Sequence, residues 1–137
     1  MKLFTLRILT PEKIFFEGEV QRVTVRTTGG DLGVLAMHEN YAAALPSGPV
    51  RITKEDGTVM LAALSGGMIK ISAEQTAILA NAAEWASDID VDWAKRSLED
   101  AQSRKQSSSS LAEQQRADAK LHRALNRLKV SSMEKGT

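Results

Sequence analysis

The chain has 137 residues, 42% of them hydrophobic and 26% charged, with a formal net charge of +1. That balance describes an ordinary soluble globular protein of one domain, or of one small domain with an extension, and excludes a disordered or membrane-spanning chain. It also excludes the clear Lys and Arg excess of a nucleic-acid binder, and the absence of cysteine excludes disulfides, a thiolate nucleophile and a cysteine metal site.

No apolar run approaches the roughly 18 residues that span a bilayer. The opening MKLFTLRILTPEK lacks the apolar core and small-residue cleavage site of a signal peptide. The expectation is a cytoplasmic protein with no direct membrane insertion, held at the membrane only through a partner.

In the first segment Phe4, Leu6 and Ile8 alternate with polar residues, and further on Val23 and Val25 are set against Arg22, Thr24 and Arg26. Alternation with period two is the mark of strands with one wet face. Turn signals recur at Thr10-Pro11, Gly29-Gly30, Pro46-Ser47-Gly48-Pro49, Asp56-Gly57 and Ser65-Gly66-Gly67, which predicts several short strands in an all-β sandwich or barrel. The run VMLAALS, residues 59–65, is apolar on both faces and reads as a central strand buried on both sides, with Asp56-Gly57 turning the hairpin that leads into it. Eight of the nine glycines lie at or before Gly67, and all three prolines lie in the first half.

Beyond about residue 81 the sequence becomes alanine-rich and carries Asp, Glu, Lys, Arg and Gln, which is helix composition. This divides the chain into 1–86, a sandwich, and 87–137, a helical region. Asp90 or Asp92 caps a first helix running to about Lys105. The serines at 107–110 interrupt it, and Ser110-Leu111-Ala112-Glu113 has the spacing of a capping box that starts a second. Leu111, Ala117, Leu121, Ala124, Leu125 and Leu128 share one arc of that second helix, whereas the first offers the thinner stripe Val91, Ala94, Leu98 and Ala101. The fold class is therefore α+β, an N-terminal all-β sandwich followed by a C-terminal antiparallel two-helix hairpin with too little apolar surface to be stable unaided.

Motifs for catalysis are missing: no phosphate loop, no nucleophile elbow and no histidine pair at metal spacing. Gly29-Gly30-Asp31-Leu32-Gly33 is a loose glycine-rich stretch with no helix after it to present an N-terminus to phosphate, so it reads as a turn. His38 has the chemistry of a general base or metal ligand but no second ligand at useful spacing, which favours a packed or surface histidine. The serine run is a polar loop or, alternatively, a modification site. In the second helix Arg116, Lys120, Arg123 and Arg127 fall within an arc of roughly 60°. This basic ridge is either a solvated helix face, a site for an anion such as a nucleotide phosphate, or a contact for an acidic protein surface.

Several ordered segments together resemble the epsilon subunit of bacterial F-type ATP synthases over essentially the whole chain. Thr10-Pro11 follows the first strand. Gly30-Asp31-Leu32-Gly33-Val34-Leu35 with His38 resembles the family's Gly-Glu-Leu-Gly-Ile-x-Pro-Gly-His. Leu64-Ser65-Gly66-Gly67-Met68-Ile69 is similar to its Ser-Gly-Gly turn, and Arg123-Ala124-Leu125-Asn126-Arg127-Leu128 to its ending Arg-Ala-x-Asn-Arg-Leu. The resemblance implies a sandwich of about ten strands that binds the gamma subunit and the c-ring, with Asp31 and His38 at that contact. It also implies a hairpin that extends to the alpha and beta subunits and inhibits ATP hydrolysis, with Arg116, Lys120, Arg123 and Arg127 as the inhibitory ridge. Catalytic sites in the family lie on other subunits, so the chain is not expected to be an enzyme. Its expected place is peripheral, on the cytoplasmic face of the cell membrane.

Two departures from the family pattern stand out. Ala36-Met37 replaces Pro-Gly before His38, and proline and glycine fix backbone angles that alanine and methionine do not. In relatives that bind ATP the first helix carries Ile/Leu-Asp-x-x-Arg-Ala. Here that stretch is Ile89-Asp90-Val91-Asp92-Trp93-Ala94, so the implied nucleotide set of Ile89, Asp90, Arg123 and Arg127 lacks its arginine. Losing such a contact removes about 1.5–3 kcal/mol, and ATP binding is expected to be weak or absent, with no other cofactor. The rival functional class is an ATP-sensing regulatory protein whose hairpin folds on nucleotide binding.

Overall fold

A computed structural model describes residues 2–73 and 75–135. The chain divides into two compact units, Met1–Trp85 and Ala86–Thr137.

The first unit contains seven strands among the described residues: β1 Phe4–Leu9, β2 Ile14–Thr27, β3 Gly30–Val34, β4 Tyr41–Lys54, β5 Val59–Ile71, β6 Gln75–Ala80 and β7 Ala83–Trp85. Strands β2, β4 and β5 are long enough to serve two layers in turn. One layer runs β2 (14–20), β1, β6, β5 (67–71), β4 (41–45), with β1 and β6 parallel and the other pairs antiparallel. The other runs β3, β2 (22–27), β4 (47–54), β5 (59–65), β7. The strand count is thus seven rather than the expected ten or so, because β2, β4 and β5 each contribute a segment to both layers, which gives five segments per layer.

This continuity corrects two predicted turns. Pro46-Ser47-Gly48-Pro49 lies inside β4 and Ser65-Gly66-Gly67 inside β5, where Leu45 pairs with Gly67 and Ser47 with Ser65. Glycine and proline act there as bending points that carry a strand from one layer to the other rather than reversing it. Gly66 and Gly67 take φ of +93° and +148°, and a Cβ on Gly67 would stand 2.0 Å from the Leu79 carbonyl oxygen. Only glycine fits this crossing. Gly29-Gly30 and Asp56-Gly57 are turns as predicted, the second closed by Lys54 N–H donating to Thr58 O at 2.8 Å.

Between the layers Phe4, Leu6, Ile8, Val20, Val23, Val25, Ile52, Ile69, Ile71 and Ile78 form one buried cluster. Each buried aliphatic side chain contributes about 1.5–3 kcal/mol relative to exposure. Leu61, Ala62, Ala63 and Leu64 are all buried, as the two-faced apolar run requires. Trp85 ends the unit by stacking on Phe15 with ring centroids 4.3 Å apart.

The second unit starts with a single 3₁₀ turn, Ala86–Asp88, followed by α1, Val91–Ser107, and α2, Leu111–Lys135. Asp90, not Asp92, caps α1: its Oδ1 accepts from Trp93 N at 3.0 Å. The serine loop opens α2 with only half of the expected capping box. Glu113 N donates to Ser110 Oγ at 3.0 Å, but the Glu113 carboxylate turns to Ser108 Oγ instead of the Ser110 backbone. The antiparallel helices bury small residues, with Ala94, Ser97 and Ala101 on α1 and Ala117 and Ala124 on α2. The predicted leucine arc is only partly covered, since Leu111 and Leu125 are exposed.

Candidate functional site

On the sandwich, Asp31 sits in β3 directly across from Arg26 of β2, and its Oδ1 receives Arg26 Nε at 2.5 Å. The glycine-rich stretch around it is a turn and a strand, with no helix N-terminus behind it. His38 follows on the connection from β3 to β4, where its Nδ1 donates to the Glu39 carbonyl at 2.8 Å. No hydrogen bond joins Asp31 to His38, and no group of three metal-capable side chains occurs among the described residues.

The connection explains how Ala36-Met37 replaces Pro-Gly. Met37 adopts φ +66°, the left-handed conformation that glycine takes freely and other residues take at a cost of about 1–2 kcal/mol. Its N–H donates to Ala73 O at 3.0 Å. Met37 thus holds, without being glycine, a conformation for which glycine is the ordinary choice.

Sequence reasoning missed an apolar row on the outer face of the first layer. Register places Leu9 beside Ile14 and Leu79, Leu79 beside Met68, and Met68 beside Ala44. Ile14, Leu79, Met68 and Ala44 are exposed. One such residue is unremarkable on a surface; a row across all five segments is the kind of patch that marks an interface. Its members come from five separate segments, so only the strand register reveals them.

In the hairpin the basic ridge is divided. Lys120 reaches across to Asp100 of α1, with Nζ 2.5 Å from Oδ2, and Arg104 approaches the same carboxylate at 3.1 Å. Beside this pair Lys105 contacts Asp118 at 2.8 Å, so each helix offers a carboxylate to the other's lysine. Both carboxyls are held below the usual aspartate range, Asp100 chiefly by the Lys120 hydrogen bond and Asp118 chiefly by that of Lys105. Arg116, Lys120 and Arg123 line an open hollow of about 500 Å³ together with Arg104, Ser108 and Glu113. The fourth ridge residue, Arg127, lies over the Trp93 ring, 5.0 Å from its centroid. Of the carboxylates between the helices, Asp100 partners the ridge through Lys120, whereas Asp118 serves Lys105 and His122 outside it.

Of the implied nucleotide residues Ile89, Asp90, Arg123 and Arg127, only Arg123 lines the hollow. Asp90 is engaged as the α1 cap and Ile89 is buried. Arg127 is seated on the side chain that stands where the motif has arginine.

Two family models cover the chain in succession: the beta-sandwich domain of the ATP synthase Delta/Epsilon chain over residues 3–86, and its long alpha-helix domain over 87–132. The chain belongs to the ATP synthase delta/epsilon chain family. Among its relatives, the ATP synthase epsilon chain of Ruminococcus albus is 38% identical over 96% of this chain and 98% of its own length. That of Halalkalibacterium halodurans is 40% identical over the same shares. Among solved structures, a chain of the Euglena gracilis mitochondrial ATP synthase OSCP/F1/c-ring assembly superposes with a TM-score of 0.79. It is 24% identical and covers 88% of this chain and 76% of its own. A chain of the Tetrahymena thermophila mitochondrial ATP synthase central stalk and c-ring gives 0.63 at 15% identity, covering 95% and 97%. At these identities the two structures establish the shared fold. In this epsilon-type chain, as in the family models, the sandwich precedes the helices. No helix among its described residues is long and apolar enough to cross a membrane.

Proposed function

We propose that the chain is the epsilon subunit of an F-type ATP synthase, a non-catalytic central-stalk subunit that couples ion-driven rotation to ATP synthesis and restrains ATP hydrolysis through its hairpin. The observation that carries this is the match of both domains, in order, to epsilon chains over 96% of the length. The sandwich is the anchoring half. Its row of Ile14, Leu79, Met68 and Ala44 supplies an apolar surface for the gamma subunit, and the segment from Asp31 to His38 supplies polar contacts for the c-ring. The protein is thereby peripheral, on the cytoplasmic face of the cell membrane.

The hairpin is the regulatory half. When extended, its ridge of Arg116, Lys120, Arg123 and Arg127 faces acidic surfaces of the alpha and beta subunits. Two of these, Lys120 and Arg127, are engaged within the folded hairpin, so extension exchanges internal partners for external ones. The test compares ATP hydrolysis by the complex carrying the full chain, a chain ending at Ser87, or the R123E/R127E variant. Hydrolysis is expected to rise in both altered complexes. Repression undiminished by charge reversal would remove the ridge from the mechanism.

ATP binding by the hairpin is proposed to be weak or absent, because Trp93 replaces the motif arginine and holds Arg127 on its ring. Calorimetry of the wild type should yield little heat with ATP, and Trp93→Arg should tighten binding about tenfold to a hundredfold. Micromolar affinity in the wild type would instead favour the nucleotide-sensing function.

A further inference from the structure

The outer face of the second layer carries three arginines on adjacent strands. Val23, Val25, Val50 and Ile52 point into the core, which sends Arg22, Thr24, Arg26 and Arg51 to the opposite side. Thr24 pairs with Arg51 across β2 and β4, so Arg51 stands diagonal to both Arg22 and Arg26, about 7–8 Å from each at the backbone. Beside them β3 offers Asp31 and Gly33. The patch thus holds three guanidiniums and one carboxylate, and Asp31 is committed to Arg26.

Two glycines seat these side chains. A Cβ on Gly33 would lie 2.7 Å from Arg22 Nη2 and 3.3 Å from its Nε, and one on Gly48 would lie 2.9 Å from Arg26 Cβ. Neither glycine has positive φ, so backbone conformation does not demand them. What they provide is room: the Arg22 guanidinium lies against bare β3 backbone and the Arg26 stem against β4. Arg22 and Arg51 have no ion-pair partner among the described residues. Arg22 is both seated and uncompensated, and such a guanidinium is pre-organised for a carboxylate because less side-chain freedom is lost on binding.

We infer that the Arg22–Arg26–Arg51 face is a docking surface for an acidic segment of a partner protein presenting at least two carboxylates. The cations are spread over two strands rather than converging on a point, which suits carboxylates in series better than one phosphate. Arg26 bound to Asp31 through Nε already displays the mode of engagement. This surface rests on the subunit assignment only for which assembly supplies the partner; the chemistry of the patch stands apart from it.

The test uses the full-length chain with two probes, a hexaglutamate peptide followed by NMR of the arginine side chains, and ATP synthase depleted of its own epsilon subunit. Hexaglutamate should shift the Nε–H resonances of Arg22, Arg26 and Arg51 at low salt. R22E/R51E should abolish the shift at the remaining Arg26 and weaken binding to the depleted complex roughly tenfold, with a flatter salt dependence. Gly33→Ala meets only the flexible end of Arg22 and should leave the thermal midpoint nearly unchanged while reducing affinity a few-fold. Unchanged affinities in these variants would overturn the inference. So would variants that bind hexaglutamate and complex normally but lose binding to phosphatidylglycerol vesicles, since the patch would then serve a lipid surface. Failure of the wild type to bind the complex would count against the subunit assignment, and the peptide would still decide the patch.

Discussion

The two halves of this chain are held together by different physics. The sandwich encloses branched aliphatic side chains between layers that share three continuous strands. The hairpin brings its helices together over alanines and serines and ties them with exposed ion pairs, Lys120 to Asp100 and Lys105 to Asp118. Small residues remove little apolar surface from water, and exposed pairs contribute modestly and are screened by salt. A body of the first kind holds its shape, whereas one of the second kind can exchange its contacts at small cost. That difference matches the proposed division into an anchor and a movable arm.

The sharpest way to break the contrast is Gly67→Ala. The new methyl would meet the Leu79 carbonyl oxygen at 2.0 Å on a residue with φ +148°, so β5 and β6 must part. Urea denaturation should show a loss of about 3–5 kcal/mol in the sandwich. Helical circular dichroism of the hairpin should change less than the sandwich signal. A loss under about 1 kcal/mol would mean that the strand crossing tolerates a shift and the sandwich is softer than its packing implies.

Next in size is Ala101→Leu, an overfilling of the fully buried helix position. The expected cost is about 1–3 kcal/mol, read as earlier loss of helical signal on heating with the sandwich transition unmoved. A stabilising effect would show that the helices have slack between them and that their alanines do not set the separation.

How legible this architecture is in the sequence depends on whether the deciding contacts are local. Alternation at Phe4, Leu6 and Ile8, the Asp56-Gly57 turn and the Asp90 cap can be read residue by residue, and the structure contains each. Pro46 to Pro49 and Ser65 to Gly67 look like turns because glycine and proline punctuate most chains. Their use as bends is fixed by strands far away in sequence. The same holds for surfaces. The ridge repeats along one helix and is visible as spacing, but the Asp100 and Trp93 side chains that engage it belong to the other helix. The apolar row and the arginine face draw on several strands each and exist only once the register is known.

Acidification tests the hairpin's ion pairs directly. Asp100 and Asp118 titrate below the ordinary aspartate value of about 4, because the folded hairpin hydrogen-bonds their charged forms to Lys120 and Lys105. A carboxyl with a depressed folded-state pKa contributes stability that is complete above its unfolded pKa and is lost as pH falls through the folded one. The contribution of these two carboxylates should therefore be complete above about pH 5, and the hairpin should loosen below about 4. Asp100→Asn should reduce that acid dependence, as followed by helical circular dichroism. An identical acid profile in the variant would show that other carboxylates govern the transition.

The smallest expected effect returns to the sandwich. Met37 holds a left-handed conformation at a cost of about 1–2 kcal/mol, and glycine there would remove the strain while adding about 0.4–1 kcal/mol of unfolded-state freedom. The balance predicts that Met37→Gly stabilises the protein by about 0.5–1 kcal/mol. The Met37 side chain is 60% exposed, and its backbone bond to Ala73 survives the change, so little is lost on the other side. The variant should raise the urea midpoint with an unchanged m-value. A lower midpoint would show that the exposed thioether, 3.3 Å from Lys2 Nζ, supports the turn more than its strain opposes it. The left-handed methionine would then be a stabilising choice at this corner rather than a tolerated one.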